Sequence, residues 1–109
     1  MRYYQIILTL MCLLFVSWKA EAGWTGYREL GIVLFWQGHS GPLVNHQDGN
    51  MIDPENCGRK DWYILPVTHP HYQSIYSLLL AAKMANKKVN FHLKGCLEGL
   101  PVIEHVQLE

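Results

Sequence analysis

The period of apolar and polar positions changes several times along the chain, and each change marks an element. Residues 24–37, WTGYRELGIVLFWQ, are rich in aromatic and β-branched side chains and end at the turn cluster Gly38-His39-Ser40-Gly41-Pro42, which predicts a long first strand. Gly31 lies inside it, where a glycine marks a bulge or a barrel corner because the backbone turns there with no side chain in the way. A short second strand is expected over residues 43–46. Residues 47–60, QDGNMIDPENCGRK, carry two Gly, one Pro and several Asx residues, so they form a long loop pinned by Cys57, of a length often given to function. Residues 61–65 are the third strand, stopped by Pro66, which cannot donate to a ladder. Residues 89–94 alternate strictly, with Val89, Phe91 and Leu93 inward and Asn90, His92 and Lys94 outward. A turn at 95–99 leads to a last strand at 101–108, whose alternation slips near Ile103 as at a bulge.

One stretch reads as a helix, from about Pro70 to Asn86. Thr68 or His69 is placed to cap it, Pro70 suits a first turn that needs no amide donor, and Asn86, Lys87 and Lys88 close it with cations at the negative end. Leu78, Ala82, Ile75, Leu79, Tyr72, Tyr76 and Leu80 cover an apolar arc of roughly 200°, wider than one core requires. The other side carries Ser74, Ser77, Ala81 and Ala85 with Met84. That small-residue face permits close approach and makes the four residues a candidate oligomer interface; a face that simply meets water explains them equally well.

Three strands, one helix and two strands predict a mainly β, α+β domain. The compact solution is a small five-stranded OB-like antiparallel barrel with the helix between strands three and four plugging one end, although an open sheet with the helix on one face fits nearly as well. In 109 residues no second core fits, and four Trp, six Tyr and three Phe exclude disorder. Nine Lys+Arg balance nine Asp+Glu without clustering, so neither nucleic acid nor an anionic membrane surface is an expected partner.

Residues 1–22 read as a secretory signal peptide, with Arg2 ahead of an apolar run at 6–18 and an A-x-A site at Ala20-Glu21-Ala22. The run is well short of the roughly 20 residues a bilayer requires, so no membrane insertion of the mature chain is expected. A single domain over 23–109, secreted or periplasmic, follows. Cys12 leaves with the peptide. Cys57 and Cys96 remain, and an even pair in a short exported chain is most simply one disulfide. A zinc site using both thiolates and histidines is the competing reading, but it lacks the close spacing such sites use.

Six histidines raise a metal question: His39, His46, His69, His71, His92 and His105. His92 and His105 would supply two ligands if they lay on adjacent strands facing the same way. A site needs three or four converging ligands, and His69 and His71 flank a helix-start proline where a capping or solvated role is enough, so no metal and no cofactor is assigned. Neither G-x-S-x-G nor H-E-x-x-H occurs, and an enzyme is not expected. A small periplasmic enzyme or inhibitor using Asp61 and His46 is one alternative, and a structural component of a surface assembly is another. Binding is the main reading. Trp36 and Trp62, with Asn45, Gln47, Asp48 and Asn50, combine flat apolar faces with directional hydrogen bonds, as recognition of a glycan or a protein surface requires.

The start Trp24-Thr25-Gly26 after the A-x-A site resembles the B subunits of subtilase-cytotoxin-type AB5 toxins. The series Ile64-Leu65-Pro66, Tyr72, Tyr76 through Lys83, Lys87-Lys88-Val89, Gly95-Cys96 and Pro101-Val102-Ile103 is similar to small exported bacterial proteins of that type. The resemblance spans nearly all of residues 23–109 in layout. It implies an OB-type subunit, in a ring, that binds glycans on its outer surface, and it supports the strand order and the Cys57–Cys96 link. No sugar-contacting residue is carried across.

Overall fold

The computed structural model describes residues 23–109, so the expected signal peptide and Cys12 lie outside the described residues. The domain is a small β-rich unit with six strands and one helix: β1 (Gly23–Trp24), β2 (Arg28–Leu34), β3 (Leu43–His46), β4 (Tyr63–Ile64), α1 (Tyr72–Ala85), β5 (Lys88–Leu97) and β6 (Leu100–Leu108). The strand order is β1-β5-β2-β3-β4-β6, and β5 also pairs with β6, so the pairings run in a circuit. All are antiparallel except β4–β6, where Ile64 faces Val102 in parallel. The sheet is therefore mixed rather than antiparallel throughout. No helix among the described residues is long and apolar enough to cross a membrane.

The expected first strand is two strands. Thr25 interrupts it by turning its hydroxyl back to the sheet, where it accepts the Phe91 amide at 3.1 Å, and Gly26 follows with φ 84 while donating its amide to Asn90 Oδ1 at 2.9 Å. Positive φ carries little cost for glycine. β1 then pairs with Leu93 and His92, and β2 with Val89 and Lys88, both along β5. β2 also stops short of Gln37, because the chain leaves the ladder after Leu34. Gly31 marks an irregularity as expected: the β2–β3 register shifts between Leu30 and Val33, and the freed Ile32 amide donates to Asn45 Oδ1 at 2.7 Å.

The helix starts two residues later than expected and has no side-chain cap, with His71 at its N-cap position. The His69 ring is engaged elsewhere. Its Nδ1 accepts the His71 amide at 2.9 Å, so its Nε2 carries the proton and donates to the Glu104 carbonyl at 2.9 Å. The other end is as expected, with Asn86 left-handed at φ 52 and Lys87 N–H donating to the Ala82 carbonyl.

The expected turn at 95–99 shrinks to Glu98-Gly99. Glu98 (φ 55) and Gly99 (φ 77) both take positive φ, the backbone of a two-residue hairpin turn, and pairing continues through Cys96↔Pro101 and Leu97↔Leu100.

Alternation divides the apolar residues between the two faces of the sheet. Val44, Tyr63, Val89, Phe91, Leu93 and Ile103 point into the main core with Leu30, Leu65 and, from α1, Leu79 and Ala82. Their neighbours Leu43, Ile64 and Leu100 turn the other way and form a second, smaller cluster with Leu34, Trp62, Leu97 and Val102 against it. Each fully buried aliphatic or aromatic side chain contributes about 1.5–3 kcal/mol.

His46 is 2% exposed, and both ring nitrogens are buried without a hydrogen-bond partner. Its ring sits 5.5 Å from those of both Tyr63 and Phe91. Desolvation, reinforced by the Arg28 charge, holds its pKa below 6.5. The unfolded chain therefore takes up this proton first as pH falls. Stability should be complete above pH 6.5 and decline below it, by up to about 1.4 kcal/mol per pH unit, until the folded pKa is passed. Urea denaturation between pH 7.5 and 5 should show this slope in the wild type and a shallower one in His46→Leu; equal slopes would remove His46 as its source.

Candidate functional site

The two tryptophans singled out from sequence meet. Trp36 lies just beyond β2 and Trp62 just before β4, with ring centroids 5.7 Å apart in an edge-to-face arrangement. Trp36 is 50% exposed, and Trp62 rests on the second apolar cluster, which gives the pair a packed underside. The β2–β3 connection brings His39 to 6.4 Å from the Trp36 ring. The β5–β6 turn supplies Glu98, whose Oε1 accepts the Ser40 amide at 2.8 Å and whose Oε2 lies 3.1 Å from His39 Nδ1. Hydrogen bonding from Ser40 and then the neighbouring His39 hold the Glu98 carboxyl below its usual range. The result is an aromatic platform with an ionised acceptor and an imidazole at its rim. Glu98 escapes sequence reasoning because the hairpin turn that delivers it uses a left-handed Glu, an uncommon turn residue, and His39, noted only as one of six histidines, is placed here by that turn.

The polar candidates are not at this platform. Gln47, Asp48 and Asn50 follow β3 beyond His46, while Trp36 follows β2 beyond Leu34, and the register pairs Leu30 with His46 and Leu34 with Leu43. The two groups thus lie at opposite ends of the β2–β3 pair, and five of the six residues expected to form one site divide between these two places. Gln47 and Asp48 line a cleft of about 320 Å³ with Tyr27, Arg28, Glu29 and Lys88. Two of its charges, Arg28 and Asp48, are paired with one another. Arg28 Nη1 donates to the Asn50 carbonyl at 2.6 Å and lies 3.7 Å from Asp48 Oδ2, and Asp48 Oδ1 accepts the Asn50 amide. Asn45 is at neither place, because its side chain fills the β2 irregularity.

The loop that follows is fastened at many points. Cys57 and Cys96 form a disulfide, with Cα atoms 5.4 Å apart. Asp53 accepts the Cys57 and Gly58 amides, Glu55 accepts the Gly95 amide, and the Tyr63 hydroxyl accepts the Ile52 amide. Asp61 is forked by Arg59 at 3.1 and 2.5 Å, which lowers its pKa, and His46 is buried in the core.

Ser74, Ser77, Ala81 and Ala85 form an exposed face of α1, with Leu80 (41%) and Met84 (87%) beside them. Finally, His92 and His105 are direct cross-strand partners of β5 and β6, and Glu104 joins them. Comparison with family models, with curated proteins and with solved structures gives no match.

Proposed function

We propose that this chain is an exported, non-enzymatic binding module that takes a sugar ring of a glycan on the Trp36–Trp62 platform. The observation that carries the reading is the platform itself: a half-exposed indole set edge-on to a second one, over a packed underside, with Glu98 and His39 at the rim. A sugar offers one apolar face for stacking and a ring of hydroxyls for the rim groups, and this arrangement answers both. Export is supported by the cysteine pair, since such bonds persist in oxidising compartments, and by the A-x-A site. The circuit β2-β3-β4-β6-β5, with α1 between β4 and β5, supports a helix-plugged OB-like barrel. In that form the chain is similar in plan to an AB5 toxin B subunit, and the unpartnered α1 face would pack against a second copy.

Glycan-array screening followed by titration under tryptophan fluorescence tests the reading. The leading glycan should lose at least about tenfold in affinity with Trp36→Ala, because a stacked anchor of this kind dominates a small interface. Trp36 is half exposed, so this variant should keep its fold. No array hit, together with a monomer by light scattering, would overturn both the glycan and the oligomer parts.

A further inference from the structure

We propose that His92, Glu104 and His105 form a binding site for a divalent first-row transition ion, with Zn²⁺ as the reference ion. The site is distinct from the aromatic platform and does not depend on it. β5 and β6 pair His92 directly with His105, and one residue later the register shifts so that Leu93 faces Ile103. Glu104 is the extra residue on β6. A bulge sets two residues of one strand against one of its partner and re-aims the side chains there. Glu104 and His105 therefore both reach the side on which His92 lies, where strict alternation would have sent them to opposite faces.

The ligand atoms are already close to the required spacing. Glu104 Oε1 lies 3.2 Å from His92 Nδ1 and 2.9 Å from His105 Nε2, and the three ligand atoms all fall within 4.8 Å of one another. An ion at about 2.0–2.1 Å from each of three tetrahedral ligands places those ligands about 3.4 Å apart, so two of the three spacings need little change. His92 Nδ1 is buried and makes no hydrogen bond despite its nearness to the carboxylate. An unpartnered imidazole nitrogen beside an anionic oxygen and a second imidazole is the donor set that borderline-soft divalent ions prefer. The fourth position would be left to water, since the His105 side chain is 61% exposed.

Neighbouring groups hold the trio in place. The Trp24 indole lies 4.8 Å from the His92 ring and stacks at 6.4 Å on that of His105, forming a lid on one side. His69 donates to the Glu104 carbonyl, which fixes the bulge itself, so His69 is a positioning residue for the site. Lys94 Nζ is 3.9 Å from Glu104 Oε2 and leaves Oε1 to the histidines.

Isothermal titration of chelator-treated protein with ZnCl₂ is the test. Uptake of one equivalent with Kd of about 10 µM or tighter is expected. His105→Ala and Glu104→Gln should each weaken it at least about tenfold, whereas His39→Gln, at the platform, should bind as the wild type does. Zn²⁺ should raise the Tm of the wild type and leave that of His105→Ala unchanged. His105 is exposed, so its loss should not unfold the domain, and thermal melts without metal verify this. Weaker uptake, or uptake that survives His105→Ala, would overturn the site.

Discussion

Removing both sulfurs with Cys57→Ser and Cys96→Ser lowers the unfolding free energy by about 4 kcal/mol, the chain entropy of closing a loop of about 40 residues. For a domain of this size that amounts to a fall in Tm of about 20 °C. The loss should be near this value because the bond does more than shorten the unfolded chain. It fastens the loop between β3 and β4 to β5 at Cys96, beside the Glu55 contact to the Gly95 amide. Urea denaturation of the oxidised wild type against the double variant measures it. A difference under about 1 kcal/mol would mean that the loop's other contacts already restrain the chain to the same degree.

Gly41→Ala is the second large effect, expected to cost about 3 kcal/mol. Gly41 is buried, and its neighbours Ser40 and Pro42 accept the Val67 and Leu65 amides at 2.9 and 3.0 Å, continuing the β3–β4 pairing outward. A Cβ on Gly41 would fall onto the Leu65 carbonyl oxygen, with the carbonyl carbon at 2.8 Å and Pro66 Cα at 3.1 Å. Backbone atoms on a paired segment cannot swing away as a flexible side chain could. Gly49→Ala separates this clash from ordinary glycine strain: Gly49 has φ 71 but open space around it, so its cost should stay near the roughly 1–2 kcal/mol of a left-handed alanine. Equal losses in the two variants, read from the same denaturation curves, would remove the steric account.

The inward face of β5, the buried positions Leu79 and Ala82 of α1, the Gly31 irregularity and the slip near Ile103 were legible in the sequence, because period and turn chemistry are local properties, although Leu80 of the expected apolar arc is exposed. The cysteine pairing was legible on a different ground, as an even pair in a short chain expected to be exported. What was not legible depended on residues far apart in sequence. The break at Thr25 depends on the Phe91 amide, and the lone parallel pair Ile64↔Val102 is a tertiary choice that no local pattern encodes. The same divide runs through the candidate sites. Trp36 and Trp62 were recognisable by residue type, but their separation from Gln47, Asp48 and Asn50 is set by the β2–β3 register. Asn45 looked like a ligand-binding amide because the need it satisfies, the Ile32 amide freed by a bulge, exists only once the strands pair. The slip near Ile103 was visible as a broken alternation, yet its consequence for Glu104 required His92 to be placed opposite.

The circuit of strands crosses the helix repeatedly. β1 and β2, which precede α1, lean on β5, which follows it, and β4 leans on β6. Neither the portion before α1 nor the portion after it holds a complete set of neighbours, so neither could survive alone as a fragment. The two portions are also joined covalently through Cys57–Cys96, so an opening that parts β4 from β6 and β2 from β5 leaves them tethered and poised to pair again.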